Sequence, residues 1–269
     1  MSGQSAPVET RLTGVPLSPG VAVGRACFYE RQRAEPDSAS QADPRQEIQR
    51  LHHSLEWLAS QRSVLARQAE VKLGQEHAEI FEAHRLMLLD ESFQSQLVKD
   101  IEENGYSAEQ AVKAILNLYK EQIAATDSEY LQQRVADISE IQQDLLGYLN
   151  RVNACRRCVD ATGCSLGQCR LGNDHILVCE EITANLPIET DHNTIGFIVE
   201  KGGPNSHGII LARALRCPVV GIIRNPLASI PVDAQILIDG DKGEVILNPT
   251  EETLARYQVT SAIRGQSLE

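Results

Sequence analysis

The apolar positions along this chain change their period twice. Between Arg11 and Tyr29 they cluster as Val21-Ala22-Val23 and Ala26-Cys27-Phe28, β-like runs punctuated by Pro19, Gly20 and Gly24. Residues 31–44 are polar and carry Pro36, Ser38, Ser40 and Pro44, which predicts a loop or linker. From about Arg45 to Leu149 the period becomes helical. Ile48, Leu51, Leu55, Leu58, Arg62 and Leu65 recur at steps of three and four, an amphipathic stripe with one polar interruption. Ile80, Phe81, His84 and Leu88 mark a second helix over Glu76 to Leu89. Phe93, Leu97 and Ile101 mark a third that stops near Asn104-Gly105. Ser107 and Gln110 have capping-box spacing ahead of a helix with Ala111, Ile115 and Leu118. A last long helix carries Leu131, Val135, Ile138, Leu145 and Leu149. Such helices with short connections predict an antiparallel bundle.

After Cys155 the pattern changes again. Residues 176–178, 196–199, 219–222, 236–238 and 245–247 are apolar runs of strand length. Asp239 to Gly243 reads as a tight turn, and Leu254 to Ile263 as a final helix. The predicted fold class is α/β plus all-α, with a helical bundle inserted between two parts of an α/β domain. The boundaries are residues 1–35, 36–150 and 151–269.

Within the last part, Lys201 to Ile222 reads KGGPNSHGIILARALRCPVVGI. A Gly-Gly turn leads to Asn205 or Ser206 as a helix cap, a short helix, a stop at Cys217-Pro218, and a buried strand. His207 therefore falls at a helix N-terminus, where free amides and the helix dipole favour an anion such as phosphate. Two readings stand beside each other: a phosphoryl-carrying histidine, or a capping or core histidine that follows glycines.

Composition narrows the class. The chain has 269 residues, a formal net charge of −12 and an ordinary apolar share of 42%. That charge argues against a nucleic-acid footprint and favours a basic protein partner. No apolar run reaches membrane-spanning length, and MSGQSAPVETR lacks a signal-peptide core, so the expected location is cytoplasmic. Between Glu76 and Glu103 eight acidic residues face two basic ones, a net of −6. This is either a solvated helix face or an electrostatic guide for a basic carrier.

Of seven cysteines, Cys155, Cys158, Cys164 and Cys169 fall within fifteen residues. That density suits a structural zinc site, unligated thiols or a redox switch. Cys27, Cys179 and Cys217 lie in apolar runs and are expected to be buried.

The segment Gly202-Gly203-x-x-Ser206-His207-x-x-Ile210-x-Ala212-Arg213, followed by Pro218, resembles the phosphohistidine segment of enzyme I of the bacterial phosphotransferase system. Looser forms occur in phosphoenolpyruvate synthases and pyruvate phosphate dikinases. Four further stretches match enzyme I in order: residues 14–24, Ile80-Phe81-Glu82-Ala83-His84 with Leu88-Leu89-Asp90, Tyr130 to Ile138, and Asp239 to Thr250. The resemblance implies a swivelling phosphohistidine subdomain with an inserted helical subdomain that docks the carrier HPr. It implies that His207 accepts a phosphoryl group originating from phosphoenolpyruvate and passes it to HPr. The phosphoenolpyruvate-binding C-terminal domain, with its magnesium and the contacts of a homodimer, would lie beyond this chain. No cofactor is then required by this portion.

By resemblance Thr183 orients the histidine, and Glu82, His84, Asp90 and Arg134 meet the carrier. Gly203, Asn205, Ser206, Gly208 and Arg213 would position phosphate. Asn205 and Gly208 stand where relatives usually have threonine, so the Gly208 amide would serve in place of a hydroxyl. Arg213 would steady phosphate or pair with a carboxylate. The competing functions are a swivelling domain of a dikinase or synthase, a piece of a multidomain phosphoryl-transfer protein, and a non-catalytic binding module.

Overall fold

A computed structural model describes residues 8–30, 43–126, 129–150, 155–157, 174–190, 194–221, 223, 226–231 and 234–257. The chain divides into two compact units: Arg31–Ala154, and Met1–Glu30 together with Cys155–Glu269.

The first of these units is helical. α1 runs from Pro44 to Leu73, α2 from Gln75 to Leu88, α3 from Glu91 to Asn104, α4 from Ala108 to Ala124 and α5 from Glu129 to Leu149. Their ends are written in the sequence. Asp43 caps α1, with Pro44 in the first turn, where a missing N–H costs nothing. Asp90 Oδ1 accepts from Phe93 N at 2.8 Å and caps α3; Gly105, at φ 66°, closes it. Ser107 and Gln110 exchange both capping-box hydrogen bonds at the start of α4. Leu51, Leu55, Phe93, Leu97, Ile101, Val112, Leu116, Ile141 and Leu145 form the core. The polar interruption of the α1 stripe is buried: Arg62 is 1% exposed and pairs with Asp144 and Glu140 of α5. Glu47 accepts from the Ala108 amide at 2.8 Å and from Arg50, which also reaches Glu109 and the Leu149 carbonyl. Charged groups thus fasten α1 to α4 and α5.

The described residues of the other unit form nine strands. They are β1 (Thr10–Thr13), β2 (Val15–Ser18), β3 (Val21–Glu30), β4 (Cys155–Arg157), β5 (His175–Cys179), β6 (Thr194–Val199), β7 (Val219–Gly221), β8 (Gln235–Asp239) and β9 (Glu244–Leu247). Helices α6 (Asn185–Thr190), α7 (His207–Ala214), α8 (Pro226–Ser229) and α9 (251–257) complete it. The strand order is β1-β9-β8-β3-β5-β6-β7-β2, with β4 beside β3. β1 and β2 close the two ends of that order, yet only Gly14 separates them. The sheet therefore curls back on itself, and Gly14 N donates to Gly243 O at 2.8 Å across the seam.

β3, β5, β6 and β7 are mutually parallel neighbours, with α6 and α7 as crossovers. β3 is one continuous ten-residue strand through Gly24. The sequence had suggested a break there. A Cβ at residue 24 would lie 2.4 Å from the Asp174 carbonyl oxygen, so the glycine marks a close approach inside the strand. Cys27, Cys179 and Cys217 are buried thiols outside any disulfide, and their burial is as expected. Burial pushes Cys217 up to about 12, and Cys179 is raised by burial and by Glu181 and Glu180. Cys158, Cys164 and Cys169 lie outside the described residues, as does the side chain of Cys155, and no metal-capable cluster occurs among those described. No helix among the described residues is long and apolar enough to cross a membrane.

Candidate functional site

The parallel strands β5 and β6 end side by side, and the loops leaving their carboxyl ends carry the candidate residues. This is where open α/β sheets place ligands. Glu200 N donates to Cys179 O at 3.3 Å and Lys201 N to Glu180 O at 2.8 Å, stitching the two loops together. Lys201 Nζ pairs with Glu180 at 2.5 Å on the rim.

His207 is the first residue of α7. Ser206 occupies the N-cap without making a side-chain cap, and its Oγ is buried with no hydrogen-bond partner among the described residues. Asn205 is exposed and lies in the preceding turn. The expected side-chain cap is therefore replaced by a backbone turn: Ser206 N donates to Gly203 O at 3.0 Å and Ile210 N to Ser206 O at 3.0 Å. The first amides of α7 have no intrahelical acceptor and face the cap. An otherwise buried hydroxyl beside them adds a polar group suited to an anion.

Gly208 has a packing role that the sequence did not reveal. A Cβ there would lie 2.1 Å from Ile182 O and 2.7 Å from Ile182 C. The start of α7 thus lies directly against the backbone of the loop after β5. Thr183 follows Ile182 and His207 precedes Gly208, so the two flank one backbone contact. Thr183 Oγ1 donates to Asn185 Oδ1 at 2.6 Å, and Thr183 O accepts from Leu186 N at 3.2 Å. Asn185 escaped sequence reasoning, although a Thr-x-Asn step before a short helix is a local signal for such a pair. Arg213 is drawn away from the cap: its Nη2 donates to Leu17 O of β2 at 2.6 Å. Its described role is to tie α7 to the sheet.

In the helical unit, four residues had been matched to a carrier surface. Glu82 is 46% exposed in its side chain and forks onto Arg85 through bonds of 3.0 and 2.9 Å. Arg85 holds the Glu82 carboxyl below its usual range. Asp90 is the α3 cap, and Arg134 Nη1 reaches Asp137 Oδ2 at 3.2 Å. His84 does not belong to an outer surface. It is 3% exposed, because it stands four residues after Ile80 and four before Leu88 on the core stripe of α2. Leu86 and Leu89, 57% and 42% exposed, were missed; they lie beside Glu82 and Asp90 on the outer face.

Two sequence families match this chain: PEP-utilising enzyme, N-terminal, over residues 13–134, and PEP-utilising enzyme, mobile domain, over residues 171–243. The phosphoenolpyruvate-protein phosphotransferase of Priestia megaterium is 27% identical over 252 residues, covering 93% of this chain and 42% of that protein. The enzyme of the same name from Lactococcus lactis is 28% identical over 253 residues, covering 93% of this chain and 42% of its own length. The chain thus spans less than half the length of these curated relatives. Among solved structures, a solution structure of enzyme I covers 94% of this chain with a TM-score of 0.76 at 23% identity, a likeness of fold. The N-terminal domain of Enzyme 1 - Nitrogen covers 93% of this chain and 99% of its own, with a TM-score of 0.62 and 26% identity. The chain belongs to the PEP-utilising enzymes and corresponds to the N-terminal portion of a phosphoenolpyruvate-protein phosphotransferase.

Proposed function

We propose that this chain is a phosphoryl relay in which His207 is the carrier. The observation that supports this most is the seating of His207 at the first turn of α7, with Gly208 pressed on the Ile182 backbone beside Thr183. In the transfer, a neutral imidazole nitrogen attacks phosphorus in line with the departing group. The new N–P bond forms as the donor's bond to phosphorus breaks, and that electron pair returns to the donor. The amides of Gly208 and Ile209 and the Ser206 hydroxyl would hold phosphoryl oxygens. Work of this kind is chiefly positioning and charge stabilisation.

The phosphoryl group would come from phosphoenolpyruvate through a C-terminal domain, where magnesium belongs, and leave to the histidine of an HPr-type carrier. The carrier would dock on α2 and α3, where the exposed Leu86 and Leu89 stand within a few residues of Glu82, Asp90 and Glu91. Apolar contact together with acidic charge favours a fast, salt-sensitive encounter with a basic partner. The reaction belongs to the cytoplasm, and full-length homodimers would form through the part beyond this chain. A zinc site at the four clustered cysteines is a separate proposal; metal analysis of the purified protein decides it.

The test is transfer from phosphorylated HPr to this chain. Labelling of the wild type that is lost in His207→Ala supports the relay. Labelling that persists in His207→Ala removes it. In parallel, titration with HPr should shift amide signals of α2 and α3, and an unmoved α2 and α3 would reject the docking face.

A further inference from the structure

The outer stripe of α2 is not simply acidic. Arg85, Leu86 and Leu89 follow Glu82 at steps of three, four and seven, so the four residues share one helix face. Resemblance matches Glu82 to a carrier contact, yet its carboxylate is already engaged. Arg85 Nε donates to Oε1 at 3.0 Å and to Oε2 at 2.9 Å, and Arg85 Nη2 donates to Oε1 at 2.5 Å. A guanidinium carries five N–H donors in one plane. Glu82 takes the edge formed by Nε and Nη2. The end-on edge keeps both N–H groups of Nη1 and the second of Nη2, and these have no partner among the described residues. That edge matches the two oxygens of a carboxylate, or a carbonyl oxygen. The Arg85 side chain is 29% exposed, so the edge is within reach of a partner. Lys99, the other basic residue between Glu76 and Glu103, pairs with Glu103 at 3.8 Å on α3. Arg85 is therefore the cation beside the exposed leucines.

We infer that Arg85 is a specificity-determining contact of the carrier face, and that Glu82 is the positioning residue that holds it. The partner this stripe fits is a carrier that is basic overall yet presents a carboxylate or carbonyl oxygen opposite Arg85, beside an apolar patch over Leu86 and Leu89. Attraction by the acidic segment acts at long range, whereas selection by Arg85 acts at contact. A carrier with a lysine or arginine at that point meets the guanidinium, and Glu82 is withheld from it. This deepens the docking reading and rests on it, while reversing the role that resemblance gives to Glu82.

The two roles predict opposite signs. Arg85→Gln removes a positive charge and releases Glu82, so steering alone would tighten the complex with a basic carrier. Contact through Arg85 predicts instead that unphosphorylated HPr binds roughly tenfold more weakly in calorimetry, the usual loss for a charge-assisted hydrogen bond. Glu82→Gln keeps an oxygen for Nε and should weaken binding only about threefold. The double variant should bind no more weakly than Arg85→Gln alone, since both act through one guanidinium. Arg85→Lys keeps the charge without the planar edge and should not restore affinity. In transfer from phosphorylated HPr, Arg85→Gln should raise KM and leave kcat near wild type, a split that a purely structural role would not give. Tighter binding by Arg85→Gln, full affinity in Arg85→Lys, or a greater loss in Glu82→Gln than in Arg85→Gln overturns the inference. Any of these, with His207 still labelled, leaves the relay standing. The predicted losses in a chain that takes no phosphate from HPr uphold the inference and overturn the relay. A wild type without affinity for HPr overturns this inference and the docking face together.

Discussion

Gly208→Ala sets two physical effects against each other, and the structure decides the sign. Alanine exceeds glycine in helix propensity by about 1 kcal/mol, so the change would ordinarily stabilise α7. Here the added Cβ would lie 2.1 Å from Ile182 O and 2.7 Å from Ile182 C and Cγ2. Ordinary carbon–oxygen contacts begin at about 3.3 Å, so α7 and the Thr183 loop must part by about 1 Å. The obstacle is backbone, which cannot swing aside as a side chain does. Overpacking of this sort costs about 1–3 kcal/mol, so after the propensity gain the net expectation is a loss of up to about 2 kcal/mol. Transfer from phosphorylated HPr should fall as well, because the same shift carries His207 away from Thr183. The single tryptophan, Trp57, lies on α1, so fluorescence would report the wrong unit. Native-state amide exchange on β5, β6 and α7 reads the right one. Increased protection of those amides in Gly208→Ala, with transfer unchanged, would refute the packing argument.

Four other outcomes follow from particular contacts. Arg62→Met should destabilise the helical unit by about 3 kcal/mol or more in urea titration, because Glu140 and Asp144 lose their shared buried cation; Arg62→Met/Asp144→Leu should recover part of it. Leu86→Ala, at a 57% exposed position, should leave stability within about 0.5 kcal/mol yet weaken HPr binding in calorimetry; His84→Ala should do the opposite, lowering stability with little change in affinity. Arg216 sits at φ 57° after α7, so Arg216→Gly should raise stability by up to about 1 kcal/mol in the same denaturation assay. Glu9 is held at about 2, below its usual 4.5, chiefly by the Thr250 backbone N–H and the Thr253 side chain. Because its folded value is the lower one, its contribution is complete above about 4.5 and fades as pH falls toward about 2. Amide exchange in residues 250–257 should quicken across that window, and Glu9→Gln should abolish the dependence.

Much of the helical unit was legible because packing there is local and periodic. The stripe from Ile48 to Leu65 and the Ser107–Gln110 box are each read within a few residues. His84 shares the Ile80–Leu88 stripe and is buried, although resemblance matched it to a carrier contact. The curled sheet was less legible, since β1 and β2 are four residues each, partly exposed, and pair with strands more than two hundred residues away. α6 was hidden by Pro187, which is tolerated because it falls in the first turn. At the site, the sequence pointed to His207 through its glycines and the helix that follows. It could not show that Gly208 answers the backbone of the loop after β5, because that contact depends on β5 and β6 ending together; the Thr183–Asn185 bond, two residues apart, was local and was overlooked. Arg213 was open to phosphate or to a structural partner, and its guanidinium lies on the Leu17 carbonyl.

The central claim is that His207 bears the phosphoryl group. Its most direct test is to expose the protein to phosphorylated HPr, digest it at alkaline pH and locate the added phosphate by mass spectrometry. The account predicts a single acid-labile phosphoramidate on His207 and none in His207→Ala. Phosphate on any other residue, or an unmodified His207 after HPr has lost its phosphoryl group to this chain, would contradict it.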